Sequence, residues 1–148
     1  MSLTVDEVFW HALRQDQDIM EATGERVYTT AITIPPADLD NVDLPYVIIS
    51  FDGGDNDQST KDDYEGDSDS ISVGIEVAAK TREDLGTLMH KVRQTVRDYF
   101  REVTEESEDY DLIPDDYQLS FSAVSWDWEK PCFWQKLTYQ CSSDNDTE

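Results

Sequence analysis

Apolar positions recur along this chain with two periods, one helical and one alternating, and the switches between them mark out its elements. Thr4 and Glu7 form a capping box, and behind Thr4 the residues Val5, Val8, Phe9, Ala12 and Leu13 recur at helical spacing. A first helix is predicted from about Val5 to Gln17. Arg26 to Ile34 is rich in β-branched residues and reads as a strand, which Pro35 and Pro36 stop. Pro45 to Asp52 is a short apolar run, a buried strand broken by Gly53 and Gly54. Ser70 to Ala79 alternates cleanly, with Ile71, Val73, Ile75 and Val77 on one face.

Thr81 then caps a long second helix. Leu85, Leu88, Met89, Val92, Val96, Tyr99, Phe100 and Val103 make an unbroken apolar stripe along it. Tyr117 to Trp126 and Cys132 to Cys141 alternate again on either side of Lys130 and Pro131, which predicts an antiparallel hairpin. The order is α-β-β-β-α-β-β. Two helices cannot sandwich five strands, so both are expected on one face of a mostly antiparallel sheet of about five strands, an α+β fold. The opposite face needs a cover, and Trp126, Trp128 and Trp134 are the residues expected to show there.

The 148 residues suit a single domain with a core of its own, residues 1–148. Three polar stretches fall outside the periodic segments. Asp52 to Asp69 holds eight acidic residues, one lysine and three glycines, and residues 53–69 read as an acidic, mobile loop. Residues 102–116 hold eight acidic residues and no basic one, a second acidic loop, and residues 142–148 read as a frayed tail.

Charge narrows the function. With 34 acidic and 11 basic residues the formal net charge is −23. Such a chain repels phosphate backbones and anionic membranes, so neither nucleic acid nor a membrane surface is an expected partner. Self-repulsion also predicts that stability rises with salt. No window approaches the length of an apolar membrane span, and Met1 to Asp6 shows no signal-peptide pattern. Cys132 and Cys141 are nine apart; on one strand they point to opposite faces and cannot bond each other, so both are expected reduced.

The chemistry-bearing motifs are weak. His11 and His90 both fall in predicted helices, and no serine or cysteine sits in a nucleophile context. Asp55-Asn56-Asp57 begins like a calcium loop, but Thr60 stands where an EF-hand needs glycine and Gly66 where it needs glutamate. Neither zinc spacing nor a phosphate-cradling glycine loop is present. The residues point to no cofactor and no catalysis, and to no metal site beyond a loose calcium site that the clustered carboxylates of Asp52–Asp69 leave open.

Two constellations point to contacts. Arg93, Arg97 and Arg101 recur every four residues along one edge of the second helix. Either Arg97 and Arg101 pair locally, with Asp98, Glu105 or the sheet edge, or this edge meets an acidic surface of a neighbouring subunit. Trp126, Trp128, Phe133 and Trp134 are dense enough to be core filling or a contact patch.

Taken in order, the segments resemble a known family. A capped helix (VDEVFWHALRQD) leads to GERVY, then a proline loop and LPYVIISFD, then an insert. SISVGIEVAAKTREDLGTLMHKVRQTVRDYF runs from strand into helix, and the hairpin LSFSAVSWDWEKPCFWQKLTYQC closes the set. This is similar to the tail-completion and tail-terminator proteins, or head–tail joining proteins, of long-tailed bacteriophages and prophages. The carriers are Pro45-Tyr46, the Val73–Ala79 strand entering the helix at Thr81, and the closing hairpin. The acidic insert Asp52–Asp69 and the extreme charge depart from the family pattern.

The resemblance implies a small structural protein without catalytic residues. It would form a ring of copies of itself, commonly six-fold, at the end of the tail tube, stopping tube growth and docking tail to head. Its partners would be the tail tube protein and head-connector proteins. It would reside in the virion, and in the host cytoplasm during assembly. Arg93, Arg97, Arg101, Trp126, Trp128 and Trp134 are the candidate subunit-interface residues. Asp55, Asp57, Asp62 and Asp63 are candidates for a channel or assembly loop past which DNA moves without binding. The competing readings are an acidic DNA mimic or other protein-binding module, and a small hydrolase using His11 or His90 beside a carboxylate.

Overall fold

The computed structural model describes the backbone of residues 5–29, 43–58, 67–106 and 116–145, and side chains within those segments. Helix α1 (Val5–Arg14) buries Phe9, Ala12 and Leu13 on the stripe read from the sequence. It stops at Arg14 rather than Gln17 because Asp16 starts a new helix. The Asp16 carboxylate accepts a hydrogen bond from the Ile19 amide at 3.0 Å, the N-cap of α2 (Gln17–Thr23). Gly24, in the left-handed conformation with φ 59°, closes α2 by donating its amide to the Met20 carbonyl. The indole of Trp10 then donates to the Val27 carbonyl at 3.1 Å, tying α1 to β1 (Val27–Thr29). The remainder of the expected first strand, residues 30–34, lies outside the described residues.

Strand β2 runs over Tyr46–Gln58 and β3 over Asp67–Ala79. Both are longer than their apolar segments. They pair antiparallel along their whole length, from Tyr46↔Ala78 to Gln58↔Asp67, with one bulge between Phe51 and Gly53. Gly53, at φ 104°, supplies the backbone conformation that the bulge requires. Much of the expected acidic loop is therefore strand: residues 53–58 and 67–69 carry ladder hydrogen bonds, and residues 59–66 lie outside the described residues. Asp, Asn and Gly are poor strand formers, so the pairing partner rather than propensity sets this conformation.

Helix α3 (Arg82–Glu106) begins where the sequence places it, with the Thr81 hydroxyl accepting from the Asp84 amide at 3.1 Å. Leu85, Leu88, Met89, Val92, Val96 and Phe100 are its buried row. It continues to Glu106, so residues 102–106 of the second expected loop are helix; residues 107–115 lie outside the described residues. The closing hairpin has a break in its first arm. β4 (Asp116–Phe121) and β5 (Ser125–Asp127) are separated at Ser122–Val124, where the Ser122 amide still bonds the Lys136 carbonyl at 2.9 Å. β6 (Cys132–Asn145) continues to Asn145, so residues 142–145 are strand and not a frayed tail.

The described residues form an α+β fold of three helices and one six-stranded sheet in the order β1-β2-β3-β6-β4, with β5 also on β6. Among the described strands only the β1–β2 pair is parallel. Compared with the expectation, α2 and the separate β5 are additional. The core lies between the sheet and the helices: Phe9 and Leu13, the α3 row, and Val47, Ile49, Val73, Ile75, Leu137 and Tyr139 form one cluster. Phe9 stands at its centre, 5.0 Å ring to ring from both Phe100 and Tyr139. Among the described residues the opposite face carries no helix. It has a small apolar cluster of Tyr46, Ala78 and Cys132, flanked by Trp134, Ile48 and Tyr28. Cys132 and Cys141 form no disulfide and are both buried, in these two clusters on opposite faces, as their odd spacing requires.

Candidate interaction edge

Strand β6 pairs with β3 from Phe133 to Asn145. β4 and β5 must therefore both lie on its other side, and together they form the outer edge of the sheet. Alternation places Phe121, opposite Leu137, and Trp126, opposite Phe133, on the helix-bearing face of that edge. Four large apolar residues are exposed among the described ones: Phe51, Phe121, Trp126 and Trp128. Three of them belong to this edge. Phe121 is 60% exposed and Trp128, in the turn after β5, is 84% exposed. Trp126 stacks edge-on against both Trp128, at 5.9 Å, and Phe133, at 4.6 Å.

The arginine row of α3 lies against the same edge. The Arg93 guanidinium sits 5.5 Å over the Phe121 ring. Arg97 and Arg101 share one carboxylate, Asp98, at 3.5 and 3.1 Å, with all three side chains well exposed. The local pairing expected with Asp98 is thus present, while Glu105 has no described side chain. Three guanidiniums against one carboxylate leave this row cationic in a chain of net charge −23. Among the described residues Arg93 has no carboxylate partner. Between α3 and β4 runs a groove of about 400 Å³, lined by His90, Arg93, Arg97, Tyr117 and Leu119, with Tyr139 at its floor. Burial pushes the Tyr139 phenol above its ordinary range, Tyr117 adds to this, and Arg93 opposes it. Tyr139 is therefore a neutral packing group.

The expected interface residues separate. Arg93, Arg97, Trp126 and Trp128 flank one edge, and Arg101 continues the arginine row. Trp134 does not join them. It pairs with Ser125 and packs beside Tyr46 and Cys132 on the opposite face, where it is half-buried. The reason is register: Trp126 faces Phe133, so Trp134, one residue on, points the other way. The expectation that all three tryptophans cover the helix-free face holds for Trp134 alone. Phe121 was not singled out from the sequence; its run reads as a buried alternation, and only the break after it leaves it exposed.

Asp55 and Asp57 lie in strand β2, opposite Ser70 and Ser68. Asp62 and Asp63 lie outside the described residues. On its outer side β2 pairs, among the described residues, only at Val47–Ile49, with β1. β1 and β2 lie at the opposite margin of the described sheet from β4 and β5. Within the described residues no three metal-ligating side chains come together. His11 stacks against Trp10 in α1, apart from His90 at the groove. No described helix is long and apolar enough to cross a membrane.

No family model and no curated protein matches the chain. Among solved structures it is similar to a chain of a structure described as "Virion of native gene transfer agent (GTA) particle". The identity is 17%, the TM-score 0.45, and the alignment covers 93% of this chain and 92% of that one. At that identity and TM-score the likeness carries no weight in assigning function.

Proposed function

We propose that this chain is a structural component of a phage-like tail, forming a ring at the end of the tail tube that terminates tail growth and joins tail to head. The observation that carries this reading is the outer edge: three exposed aromatics and an arginine row, the composition of a protein interface core, on a chain otherwise dominated by carboxylates. The ordered segments that resemble tail-completion and tail-terminator proteins support the specific role. Its partners are then copies of itself, the tail tube protein and head-connector proteins, and its work requires no catalytic group. A ring built from chains of net charge −23 repels phosphates, so DNA passes without adhering.

The test is genetic and visual. Deleting the coding sequence from its phage or prophage and imaging the particles should give tails of unregulated length that are not attached to heads. Normal, head-joined tails in the deletion would overturn the role.

One observation favours the alternative of an acidic DNA mimic. The backbone of Asp55, Asp57, Asp67 and Asp69 lies in paired strands rather than in a loop, as a mimic requires. That reading leaves the arginine and aromatic edge without a purpose. It predicts salt-sensitive capture of a basic DNA-binding protein, which the tail reading does not.

A further inference from the structure

The groove between α3 and β4 combines a cationic wall with an apolar base. Arg93 and Arg97 line it from the helix, Tyr117 and Leu119 from the strand, and Tyr139 lies beneath, around a volume of about 400 Å³. Four residues apart on a helix, the two arginines project from one side about 6 Å apart along the axis. Among the described residues no carboxylate pairs with Arg93, which sits over the Phe121 ring. Arg97 reaches Asp98 at 3.5 Å and shares it with Arg101, which is closer at 3.1 Å. Both guanidiniums thus have donors to spare. Tyr139 is buried and Tyr117 and Leu119 are half-buried, so an ion pair formed over them is stronger than one in open water.

We infer that this groove is a carboxylate-binding site, filled in the assembled protein by an acidic side chain of a second copy of the chain, held between Arg93 and Arg97. This rests on the ring reading above and gives it a contact. The planar guanidinium fork matches a carboxylate through two parallel hydrogen bonds. A nucleic-acid strand is the poorer occupant: a net charge of −23 repels a dense line of phosphates. A lone carboxylate feels chiefly the arginine row, because charges beyond about 8 Å are screened at roughly 0.15 M salt. Charge also selects the second copy. With 34 acidic residues against 11 basic ones, carboxylates are what its surface offers. Two arginine rows repel each other, so the groove meets a different surface of its neighbour. The contact is therefore head-to-tail, as closure into a ring requires.

Cross-linking tests the contact directly. Arg93→Lys keeps the charge and sets an amine at the groove, where a carbodiimide couples amines to carboxylates that touch them. Equal amounts of this variant in ordinary and heavy-nitrogen form are mixed, cross-linked, digested and analysed by mass spectrometry. Peptides joined at position 93 should pair the two labels, which marks a carboxylate from a second copy. Links from position 93 confined to one chain, or none in a sample that assembles, overturn the site. Beside this, Arg93→Gln with Arg97→Gln is compared with wild type by light scattering after size exclusion, with thermal unfolding to check that the fold is kept. Self-association should weaken at least about tenfold. Assembly equal to wild type overturns the site and leaves the ring reading standing. Saturable binding of a single-stranded oligonucleotide by wild type, lost in the glutamine variant, assigns the groove to phosphates and overturns the site as well. A wild-type chain that remains at 17.0 kDa throughout overturns both site and ring.

Discussion

Lys136 and Asp52 meet at 2.9 Å across a strand to which neither belongs. Lys136 is on β6, Asp52 is at the bulge of β2, and between them on β3 is Gly74. A Cβ at position 74 would stand 2.6 Å from the Asp52 carboxylate and 2.9 Å from the Ser50 hydroxyl, and would strike the Lys136 side chain. The glycine is there to let an ion pair bridge three strands. Gly74→Ala should lower stability by about 1 kcal/mol in urea unfolding, because the displaced groups are flexible side-chain ends. The same change in a Lys136→Ala background should be milder, since the Lys136 side chain it strikes is gone.

Beside this bridge, burial raises the carboxyl of Glu76 above its ordinary range, and Lys136 opposite it offsets part of that rise. The folded chain therefore holds a proton on Glu76 at pH values where the unfolded chain has released it. Stability falls as pH rises from the ordinary value of 4.5 through the raised one. Glu76→Gln should unfold at higher denaturant than wild type at pH 7, with the difference disappearing near pH ~4.

Asp16 joins two helices. It caps α2 through the Ile19 amide, accepts from the Thr95 hydroxyl of α3 at 3.0 Å, and pairs with Lys91 of α3 at 3.5 Å. Asp16→Ala should destabilise the fold by about 1–2 kcal/mol, at the upper end of a lost cap because the tie to α3 goes too. Asp16→Asn keeps an acceptor for the cap and should lose less. Chemical unfolding of the three proteins side by side measures both.

The two thiols should be silent in the native chain. Burial pushes Cys141 up to about 12, and Cys132 is only 2% exposed in the other cluster. Titration with a thiol-reactive dye at pH 8 should find no fast thiol under native conditions and both after unfolding. A fast native thiol would contradict the packing of whichever face it came from.

How far the sequence reveals this molecule depends on what holds each segment. The α3 stripe and the Val73–Ala79 alternation are legible because their own apolar residues face the core. α2 is not, because its seven residues carry no repeated stripe and depend on the Asp16 cap and Gly24. The acidic halves of β2 and β3 are illegible for another reason: nothing in Asp55–Gln58 favours a strand, and the partner chain segment imposes it. The interaction edge was half legible. Arg93, Arg97 and Arg101 show as a row by spacing alone, but Phe121 and the separation of Trp126 from Trp134 depend on the break at Ser122–Val124 and the register after it.

The central claim is that this chain assembles with itself, and mass in solution tests it most directly. Light scattering after size exclusion should be run over a range of protein concentration at several salt levels. At ~0.01 M salt the screening length is about 30 Å, and the repulsion between whole chains of net charge −23 should keep them apart. Near ~0.15 M that long-range repulsion is screened while close contacts at the edges survive, so a closed species at a fixed multiple of 17.0 kDa should appear and grow with concentration. A single species at 17.0 kDa under every condition would contradict the account.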